Sequence, residues 1–218
     1  MLDGHSRPEP GGFRVAIVTE YYYPHLGGVT EHVHHFAAEL RRRGHEADII
    51  TGRVTGTESE PGIIRVGRSV PIYSNASMAR ITLGSGLRAE MRALLAHGGY
   101  DIVHVHAPFS PSPPVLAIEE AAQPVVGTVH SWFPRSAVYR MIGQRLARLA
   151  ERLDALIAVS PTAMHAQRGI STRTGRSFLT GSTCRTSTPT LADHRCTTIG
   201  RSCCSLGDWI HATRSACC

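Results

Sequence analysis

Residues 13–18, Phe13-Arg14-Val15-Ala16-Ile17-Val18, form the first apolar run of the chain. It is apolar on both faces, as a central strand of a parallel sheet is. An aromatic loop containing Pro24 follows, and then the pair Gly27-Gly28. From Thr30 to Arg43 the apolar positions Val33, Phe36, Ala37 and Leu40 recur at i, i+3, i+4 and i+7, one face of a helix. Arg41-Arg42-Arg43 suits the negative end of that helix, and Gly44 is a natural stop. His45 to Thr51 then reads as a second strand centred on Ile49-Ile50. Strand, helix and strand in this order make a βαβ unit and imply a parallel sheet.

The alternation continues. Residues 52–62 read as a polar loop, Ile63 to Val66 as a short strand, and Val70 to Arg80 as a mixed loop. Leu83 to His97 reads as a helix, Tyr100 to His106 as a strand, and Ala107 to Pro114 as a proline-rich turn. A helix to Ala122, a strand over Pro124 to His130, a helix over Arg135 to Leu153 and a strand over Ala155 to Val159 complete the series. Ser160-Pro161 has the form of an N-cap followed by proline at the first helical position. Strands alternating with helices over this length predict an α/β fold, a doubly wound, Rossmann-like parallel sheet.

From about Gly169 the pattern stops. Residues 171–218 are about one-third Ser and Thr and show neither a period of 2 nor of 3.6. All six cysteines lie there, as Cys184, Cys196, Cys203-Cys204 and Cys217-Cys218. Adjacent pairs lack the C-x2-C spacing of zinc sites. The same stretch holds six arginines against Asp193 and Asp208, so it carries +4 of the formal charge of +6. The basic balance is therefore no argument for a nucleic-acid partner. No lysine occurs in the chain, a bias expected of a GC-rich coding sequence. Residues 1–12 are polar with Pro and Gly and lack the apolar core of a signal peptide. No apolar run reaches the length of about eighteen residues that spans a bilayer. The expected organisation is a disordered leader (1–12), a Rossmann-like domain (13–170) and a tail (171–218), in the cytoplasm.

The candidate chemistry gathers at carboxyl ends of strands, where parallel sheets bind ligands. Gly27-Gly28 follows the first strand and precedes a helix, so a diphosphate could approach the backbone and meet free N–H groups. The alternative is a loop that merely needs positive φ. G-x-G-x-x-G is absent, which disfavours a dinucleotide oxidoreductase. His130 closes a buried strand and could donate to a substrate hydroxyl or oxyanion, or bond to the loop backbone. His104 and His106 share a strand face without a third ligand at partner spacing, so no metal is expected. His32, His34 and His35 read as a polar helix face, and Glu119-Glu120 as solvated. Arg80, Arg88 and Arg92 could meet acidic lipid, placing the protein at the inner face of a membrane. A solvated face is the plain alternative.

Five segments occur in a recognisable order: Leu26-Gly27-Gly28-Val29-Thr30-Glu31-His32-Val33, Arg43-Gly44-His45-Glu46, Tyr100 to His106, Gly127-Thr128-Val129-His130, and Leu156-Ile157-Ala158-Val159-Ser160. Together they resemble the N-terminal half of family 4 retaining glycosyltransferases, whose GT-B architecture sets two Rossmann-like domains across a cleft. Val70 to Arg80 looks closest to phosphatidylinositol mannosyltransferases. The resemblance covers residues 13–168. It implies a hexose, mannose in the nearest subfamily, transferred from a nucleotide sugar such as GDP-mannose or a UDP-hexose to a lipid or glycan, with no bound cofactor or metal. It further implies that Gly27 and Gly28 approach the donor diphosphate, that His130 lies at the reacting sugar, and that Asn75 and Arg80 lie on the acceptor side.

The family's second domain supplies the basic residues and the glutamate that hold the sugar nucleotide, and they have no counterpart in this sequence. An inactive half-enzyme is one expectation, and a non-catalytic nucleotide or headgroup binding module is another. The tail suggests a reason. Phe178-Leu179-Thr180-Gly181-Ser182-Thr183-Cys184, written as TTC CTA ACG GGG TCG ACG TGC and read from the last base of the first codon, encodes Pro-Asn-Gly-Val-Asp-Val. That peptide resembles the family's lead into its second domain, so a frameshift near residues 168–171 is expected.

Overall fold

The computed structural model describes residues 11–57, 60–74, 77–130, 143–160, 163 and 178–180. The start of the leader, Asn75, the first part of the helix expected from Arg135 and most of the tail lie outside them. Nine strands are described: β1 (Arg14–Val18), β2 (Glu46–Gly52), β3 (Ile63–Val66), β4 (Arg68–Ser74), β5 (Ser77–Leu83), β6 (Ile102–His106), β7 (Val125–Val129), β8 (Ala155–Ala158) and β9 (Phe178–Thr180). The helices are α1 (Gly28–Arg42), α2 (Leu87–His97), α3 (Pro113–Glu120) and α4 (Gly143–Glu151).

Seven strands form one parallel sheet in the order β3-β2-β1-β6-β7-β8-β9. Ile17 of β1 faces Ile49 of β2 on one side and His104 of β6 on the other. The chain leaves β1 toward β2 and β3, then returns to β6 and proceeds the opposite way. The order therefore reverses between β1 and β6, and loops leaving those two strands diverge and open a crevice.

Both faces of the sheet are covered. Val15, Ile17 and Ile49 pack under Val33, Ala37 and Leu40 of α1, at the spacing that the sequence pattern predicts. On the other face Ala16, Val18, Val103 and Val105 meet Met91 and Leu95 of α2, Ala117 and Ile118 of α3, and Leu149 and Leu153. Each of the Val, Leu, Ile and Met side chains among these contributes on the order of 1.5–3 kcal/mol through burial. Gly127 of β7 is small because Leu156 and Leu153 occupy its space: a Cβ there would lie 2.9 Å and 3.1 Å from their Cδ1 atoms. Ser160 caps as predicted, its hydroxyl accepting the N–H of Ala163 at 3.1 Å.

Three features depart from expectation. Residues 70–74 and 77–80 form not a mixed loop but most of two antiparallel strands, β4 paired with β5 from Arg68↔Leu83 to Ser74↔Ser77. Pro71 and the polar residues on both strands hide their alternation. Within the tail, Phe178–Thr180 pair parallel with Leu156–Ala158, although no periodicity marks them. Glu119 and Glu120 are not solvated. Glu120 binds Arg88 and Arg92 of α2, the latter at 2.6 Å, and Glu119 binds Arg88 and Arg145 of α4, the latter at 3.0 Å. Three helices are thus tied together by charge.

The hairpin is joined to the main sheet by a buried contact. Thr82 of β5 donates to Oε1 of Glu20, just past β1, at 2.7 Å, while Oε2 of Glu20 has no partner. Glu20 is 3% exposed. Burial pushes its carboxyl up to about 8, against the pull of Thr82 and of the Arg80 charge. Unfolding exposes a carboxyl that ionises near 4.5. Between these values the unfolded chain has lost a proton that the fold retains, so stability falls as pH rises toward 8. Glu20→Gln is therefore expected to match the wild type near pH 4.5 and to exceed it near pH 8.5 by on the order of 1–3 kcal/mol. Denaturant midpoints at the two pH values check this, and an equal difference at both would refute it.

Candidate active site

The β1–α1 loop forms one wall of the crevice. Gly27 is the N-cap of α1 with φ 169° and ψ 162°, an extended conformation open to any residue. Gly28 is the first helical residue, and a Cβ on either glycine would meet nothing within 4 Å. Positive φ is therefore not the reason for the pair. What the two glycines provide is unobstructed access to the start of a 15-residue helix. Glu31 supplies the first N–H bonded within the helix, to the carbonyl of Gly27 at 3.0 Å. The N–H groups before it, with the helix dipole behind them, are placed to receive an anion.

The opposite wall comes from β6 and β7. Alternate residues share a face of a strand, so His104 and His106 lie together, as do Thr128 and His130. His104 Nε2 lies 2.7 Å from the Thr128 hydroxyl, and His106 Nδ1 lies 2.9 Å from His130 Nε2. The rings of His104 and His106 stack at 4.5 Å, and those of His106 and His130 at 5.2 Å. Immediately beyond β6, Ala107 takes φ 50°, where a side chain is strained by about 1–3 kcal/mol. Its N–H is fixed to the carbonyl of Thr128 at 2.9 Å.

Helix α1 closes the cluster. His32 lies one turn past Gly28 with its ring 4.9 Å from that of His130, edge to face, and 5.5 Å from that of His106. His32 is exposed, as the reading of a polar helix face expects, and its ring also reaches those of His106 and His130. The signal of that reach was its i+4 spacing from Gly28. His34 bonds instead to the hydroxyl of Tyr22 at 3.0 Å.

One ring nitrogen from each of His32, His106 and His130 lies within 4.8 Å of the others. The fold thus brings together a third histidine that sequence spacing does not show. The donor set does not suit a cation well. The facing nitrogens of His106 and His130 are already joined through a hydrogen bond. Freeing Nδ1 of His106 for a metal would move its proton to Nε2, which is buried without a partner.

Electrostatics keeps the rings uncharged. Burial, with the neighbouring His32 and His130, drives His104 down to about 3, and burial with the same neighbours and His104 drives His106 well below its ordinary value. Burial, helped by His32, holds His130 down to about 4. Near neutrality His130 is a polar donor and acceptor, not a cation.

The arginines expected at a lipid surface are engaged elsewhere. Arg88 and Arg92 are paired with Glu119 and Glu120, which removes the basis for reading them as a free basic face. Arg80 turns back across the hairpin, its Nε 2.9 Å from the Ser69 hydroxyl and its Nη2 2.9 Å from the Ser69 carbonyl. Its charge acts on Glu20 and His25, so it flanks the β1–α1 loop. Asn75 lies outside the described residues. No helix among the described residues is long and apolar enough to cross a membrane.

The chain is similar in sequence and in fold to known proteins. The chain is 34% identical over 157 residues to a phosphatidyl-myo-inositol mannosyltransferase of Propionibacterium freudenreichii subsp. shermanii, covering 69% of this chain and 41% of that protein. It is 31% identical over 150 residues to the protein of that name from Mycobacterium tuberculosis, covering 69% and 40%. The chain thus spans about two-fifths of the length of these relatives. Similar solved structures include an α-glucosyltransferase in complex with UDP and a 13-mer DNA, at a TM-score of 0.48 and 11% identity, covering 78% of this chain and 42% of that one. Another is the catalytic domain of starch synthase IV from Arabidopsis thaliana bound to ADP and acarbose, at 0.46 and 13%, covering 78% and 51%. Residues 26–169 match Glycosyltransferase Family 4, and the chain belongs to that family.

Proposed function

We propose that the crevice between β1 and β6 binds a nucleotide-sugar donor, GDP-mannose or a UDP-hexose, in a retaining transfer of the hexose to a lipid or glycan acceptor. The observation that carries this reading is the meeting of two walls at the reversal point. An unobstructed helix start at Gly27-Gly28 lies on one side, and His130, with a ring nitrogen free among the described residues, on the other. In this reading the glycines admit the diphosphate to the N–H groups of α1. His130 hydrogen-bonds the sugar at the reacting end, and Arg80, with Asn75, serves the acceptor side. The names of the relatives support mannose as the sugar and an inositol lipid as the acceptor.

An uncharged His130 acts by orienting and by stabilising partial charge, not by delivering a proton from an imidazolium. A binding module without turnover is the alternative.

Three outcomes test the proposal. Calorimetric titration with UDP and GDP is expected to show binding of one of them, weakened at least about tenfold in Gly28→Asp, whose carboxylate would oppose the diphosphate. Equal affinity in wild type and variant would remove the helix start from the site. The His130 ring resonances are expected to stay constant from about pH 8 to 5.5 and to move only as the pH falls below about 5. A midpoint near 6.5 would contradict a neutral His130. Radiolabelled sugar transfer is expected from a chain whose frame is restored after residue 168 and not from the chain as it stands. Activity in neither favours the binding module. The coding DNA decides the frame: codons that cannot yield Pro-Asn-Gly-Val-Asp-Val in a neighbouring frame end the frameshift reading.

A further inference from the structure

The unpartnered nitrogens at the site determine the direction of its hydrogen bonds. A neutral imidazole carries one N–H and one bare lone pair, and the bond made by one nitrogen sets the state of the other. His106 is fully buried, with Nδ1 against His130 Nε2 and with Nε2 touching no polar partner among the described residues. Were His130 the donor, the proton of His106 would have to sit on Nε2, leaving a buried N–H without an acceptor. Were His106 the donor, Nε2 would hold only a lone pair. A buried N–H without a partner loses a hydrogen bond that water would have made, and such orphans are rarer in folded proteins than unfilled acceptors. The second arrangement is therefore the stable one.

The adjacent pair follows the same rule. His104 is buried with Nε2 at the Thr128 hydroxyl and Nδ1 unpartnered among the described residues, so its proton belongs on Nε2. Both histidines of β6 thus donate across to β7, each to a residue on the same sheet face. Phe36, edge-on to His104 at 4.8 Å and close to His106 at 5.9 Å, offers no polar atom to either.

We propose that His106 is a positioning residue. Its Nδ1–H donates to Nε2 of His130, locks His130 as the Nδ1–H tautomer, and so turns a hydrogen-bond donor, not an acceptor, toward the crevice. The group that His130 meets must then present an acceptor oxygen, a sugar hydroxyl or phosphate oxygen, and not an N–H. This rests on the reading of His130 as a ligand-facing residue, but the tautomer can be measured without any ligand.

The test is the two-bond proton–nitrogen correlation spectrum of the uniformly 15N-labelled full chain near neutral pH. Difference spectra from His130→Gln and His106→Gln assign the two rings. The expected result is a pyrrole-type Nδ1 and a pyridine-type Nε2 for both. In His106→Leu the His130 pattern is expected to shift toward Nε2–H or to a mixture, with an unchanged circular dichroism spectrum. In His32→Asn, which leaves the donor in place, the pattern is expected to remain. A pyridine-type Nδ1 on His130 in the wild type overturns the proposal. So does an unchanged His130 pattern in folded His106→Leu. Should that variant fail to fold, the wild-type spectrum alone decides. Failure to bind UDP or GDP with the Nδ1–H pattern intact counts against the proposed function and leaves this inference standing.

Discussion

Strand β1 has no face left for solvent, and the rest of the molecule is arranged around that constraint. Val15, Ala16, Ile17 and Val18 are each fully buried, with parallel partners on both edges and helices above and below. A strand so enclosed has its backbone groups satisfied by its neighbours, and its chain can leave only past its carboxyl end. The connections on its two sides run in opposite directions, and Thr82 of β5 meets both Glu20, past β1, and Ser112, past β6. The crevice is a consequence of burying this strand, not a separate device carved into the surface.

The histidine group extends the same burial. Polar rings placed on the inner face of β6 would cost stability if they stayed charged or unbonded. The fold meets this by holding them neutral and giving each ring one hydrogen bond to β7. The result is a chain of contacts from His104 beside Phe36, through His106, to the half-buried His130, the two histidines of β6 being fully buried. The preference for uncharged rings comes from packing. The orientation of the outermost ring comes from the ring below.

Much of the architecture was legible in the residues. The β-branched runs at 15–18 and 102–105 and the apolar stripe Val33, Ala37, Leu40 specify elements directly, because buried parallel strands and amphipathic helices have distinct periods. Gly27-Gly28 and His130 stand out in the sequence by their place after strands, and the fold puts them after β1 and β7. The hairpin at 68–83 was missed because its polar residues and Pro71 mask a period of two, and pairing is a non-local property. The ion pairs of Glu119 and Glu120 were missed for a related reason: Arg88 and Arg92 lie on a different helix, and a sequence does not show which charged faces meet. His32 lies on the exposed face of α1, as its position suggests, and its nearness to His130 arises only once α1 lies across the sheet.

The contact between Thr82 and Glu20 has a consequence for motion. Strands β4 and β5 form a sheet of their own, so they can open as a cooperative unit without disturbing the seven-stranded sheet. Gly52 is pressed so close to this junction that a Cβ would lie 2.1 Å from the Thr82 hydroxyl oxygen. The junction therefore leaves no room for a side chain at residue 52. Each opening of the hairpin hydrates a carboxyl that the closed form keeps protonated. The frequency of opening is thereby coupled to the solution's proton activity, although the hairpin has no acidic residue of its own among those described.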